Sequence, residues 1–204
     1  MDQQLPVSDI AFTETVKQLQ ARSGSRDAYA KMESGSGWSS QITPQLADFI
    51  AWQNSFYLAT VNAEGQPYIQ HRGGPRGFLK PIDARTLGMA DYRGNRQFIS
   101  QGNLAESSKA FIFLMDYANR RRIKIWGEAW MVEGDEALLR SVMPEGYAAI
   151  PERVLLFKVN AWDPNCPQHI PRKYDLDQVD EMMAERDAKI AALKARIAEL
   201  EASR

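Results

Sequence analysis

The stretch "RRIKIWGEAWMVEG", residues 121–134, alternates between the two sides of an extended chain. Ile123, Ile125, Gly127, Ala129 and Met131 fall on one side, and Arg122, Lys124, Trp126, Glu128 and Trp130 on the other. Such a period of two does not suit a helix. It demands a strand whose apolar side is covered by a core. Similar signals recur from Phe56 to Trp162. "FYLATVNAEGQPYIQHR" reads as two strands around an Asn62–Gly65 turn, "GFLKPID" and "RTLGMADY" as two more, and "RVLLFKVNAW" as the last. "KAFIFLMDY" is a continuous apolar run, expected to be buried on both faces. With few helices between them, six or so strands fit an antiparallel barrel or sandwich better than a sheet of β–α–β units.

The flanks are helical. "TPQLADFIAWQNS" places Thr43 to cap a helix and Pro44 at its first position, with Leu46, Phe49 and Ile50 on one face. "IAFTETVKQLQAR" has mixed helical spacing, "DEALLRSVM" reads as a short helix, and "SGSRDAYAKMESGSGWSS" reads mostly as loop. In the tail, Val179, Met183, Arg186, Ile190, Leu193, Ile197 and Leu200 step by four and three, a heptad seam interrupted once by Arg186. A helix of that length spans roughly 45 Å, too long to lie wholly on so small a body. It is expected to dimerise or bind a partner, the plainer alternative being a solvated helix that frays. The chain thus divides into a helical segment (1–55), a strand-rich body (56–174) and a coiled-coil-like helix (175–204).

Charge narrows the function classes. Twenty-five basic against 26 acidic residues leave a formal charge of −1, which argues against a nucleic-acid or membrane surface. A single cysteine forms no intramolecular disulfide. The start "MDQQLPVSDIAF" lacks a basic stretch followed by an apolar one, and no apolar run approaches the ~18–20 residues of a membrane span. A cytoplasmic protein is the expectation.

Chemistry concentrates in "DYRGNRQFISQGNLAESSKAF", residues 91–111. A strand end runs through Arg93, Gly94 and Asn95 into a helix expected to start near Arg96. Backbone N–H groups at such a helix start, with Arg93 and Arg96 beside them, make a phosphate site; a surface turn with two solvated arginines explains the pattern equally well. Upstream, "HRGGPRGFLK" (71–80) interrupts a strand with three glycines, as a bulge or for close approach of a flat ligand.

The succession "FYLATVNAEGQPYIQHRGGPRGFLK", "DYRGNRQFISQGNL", "FLMDYANRRRIKIWGEAW" and "NCPQHIPR" resembles the flavin-binding proteins related to pyridoxamine 5′-phosphate oxidase, in particular an uncharacterised bacterial branch. The resemblance spans Phe12 to Tyr174 and leaves out the tail. It implies a mainly β (α+β) fold, a six-stranded antiparallel split β-barrel of the FMN-binding type with flanking helices. It also implies a homodimer with FMN in clefts between subunits. Carried over by position, Arg76, Gly77, Phe78, Leu79 and Lys80 would hold the flavin ring, with Ala90 and Asp91 at a strand end beside it. Arg96 and Gln97 match the family's phosphate-gripping pair, with Arg93 or Arg76 replacing a missing cation and Asn95 in the same bend. A glutamine that meets the ring edge in the family corresponds to Arg122, five residues before Gly127. A cation there would favour the anionic reduced flavin. From the alternation itself, the Arg122, Lys124 and Trp126 face is expected to point toward a partner or ligand.

"NCPQHI" holds the only cysteine, Cys166, and one of two histidines, His169. A thiolate–imidazole pair, part of a metal site with His71, and a loop lining a pocket are the three readings. Four metal ligands are hard to assemble, and no metal is expected. The family's substrate-binding "R-x-H" motif is absent, so pyridoxamine phosphate oxidation is not expected. His169, Arg172 and Cys166 with His71 and Arg72 would instead form a small polar pocket on the substrate side. The resemblance implies an FMN-dependent oxidoreductase passing a hydride through flavin N5 to or from a small substrate. The alternative is a flavin carrier without turnover, or a binder of another planar group such as haem or a deazaflavin.

Overall fold

The computed structural model describes residues 6–35, 37–164 and 167–203. Seven strands form one sheet: β1 (Ser55–Val61), β2 (Pro67–Gly73), β3 (Lys80–Pro81), β4 (Thr86–Tyr92), β5 (Lys109–Asp116), β6 (Arg121–Val132) and β7 (Pro151–Pro164). Every pairing is antiparallel, in the order β2-β1-β5-β6-β7-β4-β3. Local chemistry sets the turns. The Asn62 side-chain oxygen accepts from the backbone N–H of Glu64 (3.1 Å) and Gln66 (2.8 Å), and Gly65 takes φ 86°, which closes the β1–β2 hairpin. Asp116 accepts from the backbone N–H of Asn119 at 3.0 Å and turns β5 into β6.

The six-stranded split barrel implied by the resemblance is not what the chain forms. Among the described residues the sheet has seven strands and stays open, with β2 and β3 at its edges. β3 is two residues long and contains Pro81, which brings no N–H to a further ladder, so pairing stops there. Only Lys80–Pro81 of "GFLKPID" is accordingly strand. β5 also departs from expectation: Ile112 and Leu114 are buried, while Phe111, Phe113 and Met115 on its other face are half-buried.

The helices are α1 (Glu14–Ser23), α2 (Arg26–Glu33), α3 (Pro44–Ala51), α4 (Ile99–Glu106), α5 (Glu136–Val142) and α6 (Leu176–Ala202), preceded by a short 3-10 turn at Val7–Ile10. Thr43 caps α3 by accepting from Leu46 N–H at 3.3 Å, and α3 buries Leu46, Phe49 and Ile50, as its sequence predicts. Asp135 caps α5 in the same way, accepting from Leu138 N–H at 2.9 Å. α2 lies inside the stretch read as loop; Arg26 pairs with Glu33 one face along it, a stabilisation that the flanking Gly and Ser residues obscure. Among the described residues, no helix is long and apolar enough to cross a membrane.

The core lies on one face of the sheet, where Phe56, Leu58, Phe78, Ile112, Ile125 and Phe157 are almost wholly buried with the apolar side of α3. The Arg122–Trp126 side of β6, which the alternation directs toward a partner or ligand, lies on the face away from the core and is half-buried under other rings of the chain. Trp38 stacks on Trp126 (4.6 Å between centroids, 18°), and Lys124 lies over both rings while pairing with Asp163 at 2.9 Å. Phe12 and Tyr29 extend this aromatic cover.

β6 and β7 pair from Ile123↔Pro164 to Val132↔Val154, with a bulge at Trp126/Gly127. A Cβ on Gly127 would stand 2.0 Å from the Lys158 carbonyl oxygen and 2.5 Å from the Phe157 ring. Gly127→Ala should therefore destabilise the fold by roughly 3 kcal/mol, at the upper end of overpacking costs. Urea unfolding measures it; an unchanged midpoint would mean that this close approach does not hold the strand pair together.

Candidate functional site

β4 ends at Tyr92 and the chain bends through residues 93–98 before α4 begins at Ile99, three residues later than its sequence suggests. Arg96 (φ 58°) and Phe98 (φ 56°) both sit in the left-handed region, which non-glycine residues seldom occupy. Two such residues in one bend store strain that the surroundings must hold, a trait of ligand-binding loops. The bend is well fastened. Arg93 N–H donates to the Ile150 carbonyl at 2.8 Å, and Asn95 Oδ1 accepts from Gln97 N–H at 3.2 Å. Behind it, Ser100 bonds Gln70 of β2 at 2.7 Å and Asn103 bonds Thr60 of β1 at 3.0 Å, which fixes α4 against the sheet.

Four guanidinium groups gather around this bend. Arg72 on β2 pairs with Asp91 at the end of β4. Arg153, at the head of β7 and only 9% exposed, lies with its Nε 3.4 Å from Asp91, reaches Glu152 at 2.9 Å and Glu133 at 3.3 Å, and bonds Gln101. Glu152 also accepts from Arg93 Nε at 3.0 Å and from Arg96 at 3.3 Å. Arginines 72, 93, 96 and 153 against Asp91, Glu133 and Glu152 give four positive and three negative charges, a local excess of one. The Nε atoms of Arg72 and Arg153 are buried and donate to nothing; the Arg153–Asp91 contact is close enough for an ion pair but too badly angled for a hydrogen bond. Buried guanidinium donors without acceptors are costly.

The cleft under these groups is small, about 70 Å³, and is lined also by Tyr68, Gln70, Tyr92 and Met131. The Tyr92 hydroxyl is buried without a partner, and burial, reinforced by the neighbouring Tyr147, pushes its phenol up to about 12. It is therefore a neutral donor at any ordinary pH. A larger cavity of about 750 Å³ lies at the root of α6, walled by Phe49, Trp52, Tyr57, Tyr117, Arg121 and Lys173, and shares no lining residue with the first. Size favours the larger one. The guanidinium groups converge on the smaller, and two of their buried donors lack acceptors there.

The structure brings Arg72, Asp91, Arg93, Asn95, Arg96 and Gln97 together around the small cleft. Arg76 and Gly77 lie elsewhere. Arg76 stands over Trp52 at the rim of the large cavity and holds Asp175 (3.3 Å) and Asp177 (3.1 Å), while Gly77 supplies a φ of 77° to the turn after it. Phe78, Leu79 and Ala90 are buried, so their side chains belong to the core. Lys80 donates to the Ser141 and Met143 carbonyls, both at 3.3 Å, at the end of α5. Arg122 is half-buried on β6 with an unpartnered Nε.

On the substrate side, His71 and Arg72 point to opposite faces of β2. His71 is exposed beside Tyr57. His169 (φ 60°) and Arg172 are exposed beyond β7, and Cys166 falls outside the described residues. Among the described residues, no three His, Cys, Asp or Glu side chains gather as a metal set. Arg153 and Glu152 were missed in sequence. The available signal was an arginine in phase with the buried Leu155, Phe157 and Val159, since a charge on an apolar strand face needs partners.

Hydrogen bonds from Arg93, then from Arg153 and Arg96, hold the Glu152 carboxyl below the usual value of 4.5. A depressed folded-state pKa gives stability that is complete above 4.5 and is lost as pH falls through the lower value. The stability gap between the wild type and Glu152→Gln should thus narrow progressively in acid. Thermal unfolding across that range decides it, and a gap independent of pH would deny the carboxylate this role.

A family model for pyridoxamine 5′-phosphate oxidase matches residues 42–166, which takes in the whole sheet and the arginine-lined bend. No curated protein matches. Among solved structures, HupZ of Group A Streptococcus is similar at a TM-score of 0.50 and 23% identity, covering 65% of this chain and 99% of that one. An FMN-binding protein of Syntrophomonas wolfei is similar at a TM-score of 0.48 and 14% identity, covering 72% and 97%. At such identities the HupZ likeness speaks to the fold alone. With the family match spanning more than half of its length, the chain belongs to the pyridoxamine 5′-phosphate oxidase family, within the wider group of flavin-binding proteins related to that enzyme.

Proposed function

We propose that this protein binds FMN, with the phosphate at the 93–98 bend, and acts as an oxidoreductase on a small substrate. The observation that carries the reading is the convergence of Arg72, Arg93, Arg96 and Arg153 on a cleft where two buried Nε donors lack acceptors. A phosphomonoester brings roughly two negative charges and several acceptor oxygens, which suits both the charge excess and those donors. The half-open cleft, of about 70 Å³, is far below the ~300 Å³ at which small-molecule pockets begin. It suits the phosphate end alone. The ring would then lie outside it, against a second protomer in a homodimer, an arrangement that the family resemblance also supports.

When bound, FMN would supply the two-electron redox chemistry. The protein's part is to bind and orient. Arg93 and Arg96, exposed and tethered only to Glu152, are free to exchange that carboxylate for a phosphate. Asp91 fixes Arg72 and Arg153 from behind, so their forks stay aimed without ligand. Tyr92 offers a neutral O–H at the same cleft. The absence of the family's substrate motif supports a substrate other than pyridoxamine phosphate.

Arg96→Ala should weaken FMN binding by about 1.5–3 kcal/mol, the usual worth of a hydrogen bond to a charged group, and leave riboflavin binding unchanged. Flavin fluorescence titrations of both ligands measure it. Equal losses for the two flavins, or none for FMN, would place the phosphate elsewhere.

A further inference from the structure

α6 lies outside the family match, and none of its residues is buried. Leu176 is 82% exposed, and Leu193, Ile197 and Leu200 are each more than half exposed. Over 27 residues the helix runs about 40 Å, fastened to the body only near its start. There Asn54 donates to Asp175 at 2.8 Å, Arg76 pairs with Asp175 and Asp177, and Asp175 forms a capping box with Gln178. A helix so anchored has a fixed direction, which leaves its apolar seam to be covered from outside.

We propose that α6 pairs in parallel with α6 of a second copy of this chain, as a two-stranded coiled coil. Leu176, Met183, Ile190 and Ile197 take the first position of four successive heptads, and Val179, Arg186, Leu193 and Leu200 the fourth. The positions flanking this seam are Asp180, Asp187, Lys194 and Glu201 on one side, and Lys189, Arg196, Ser203 and the single apolar Met182 on the other. The stripe is therefore the narrow seam of a coiled coil. A helix lying on a globular groove needs a third apolar position. β-branched isoleucine at the first position with leucine at the fourth, as in the last two heptads, selects two parallel strands.

Charge fits a second copy in the same register. Arg186, the one polar seam residue, packs beside Asp187 of the partner subunit, the residue type with which it already bonds within its own chain at 2.8 Å. Arg196 faces Glu201 of the partner subunit. Lys189 faces Lys194 of the partner subunit, a repulsive pair that makes the register testable. None of this depends on flavin binding.

Two measurements on the full-length chain decide the matter, with Cys166→Ser removing the native thiol. Under mild oxidation Leu193→Cys should give a disulfide-linked dimer, since parallel pairing sets that position opposite itself, whereas Ala195→Cys on the outer face should not. Lys194→Glu should turn the repulsive pair into an attractive one and tighten the dimer several-fold in sedimentation, with a higher melting temperature. No link at 193, equal links at both positions, or a looser dimer with Lys194→Glu would overturn the proposal. A dimer by mass without the 193 link would also overturn it, because the copies would then meet through another surface.

Discussion

The structure turns on one ion cluster, in which Asp91 at the end of β4 faces Arg72 from β2 and Arg153 from β7. β2 and β4 do not pair; β1, β5, β6 and β7 separate them in the sheet. Charge therefore ties an edge strand to a distant one across the sheet's inner side. A partly buried ion pair contributes less stability than its Coulomb energy suggests, because both charges lose water. Its stronger effect is geometric. Removing Asp91 would strip the half-buried Arg72 of its carboxylate partner and leave Arg153 to Glu152 and Glu133 alone, so the two forks would no longer be held to each other at the cleft.

That constraint explains why the bend at 93–98 can keep two residues in left-handed backbone. Its start is pinned to the segment ahead of β7, its exit helix to β1 and β2, and its arginines to Glu152. Strain of this kind persists only where surrounding contacts over-determine the chain. Glu152 is the carboxylate that keeps Arg93 and Arg96 in place, and in the proposed function it is the group that an incoming phosphate would displace.

Much of the fold was legible because its signals are local. Thr43–Pro44 announced α3, Asn62 and Gly65 the first hairpin, the alternation at 122–131 the central strand, and the heptads the final helix. What could not be read was set by contacts distant in sequence. The edge at Pro81 ends the sheet where the family resemblance implied closure. Trp38 covers Trp126 from nearly ninety positions upstream, and Gly- and Ser-rich neighbours hid α2. The site divided in the same way. Arg93, Asn95, Arg96 and Gln97 are contiguous and were visible, whereas Arg153 and Glu152 join them only through the β4–β7 pairing. Arg76 was assigned to a flavin by its place in a motif, yet its partners in space are the carboxylates at the foot of α6.

In the proposed function the small cationic cleft, not the larger cavity beside Trp52, takes the anionic end of the nucleotide. A structure determined with FMN bound tests this most directly. The phosphate is expected within hydrogen-bonding distance of Arg93 and Arg96, with Glu152 turned away. Phosphate density beside Arg121 and Lys173, with the arginine bend unchanged, would contradict it.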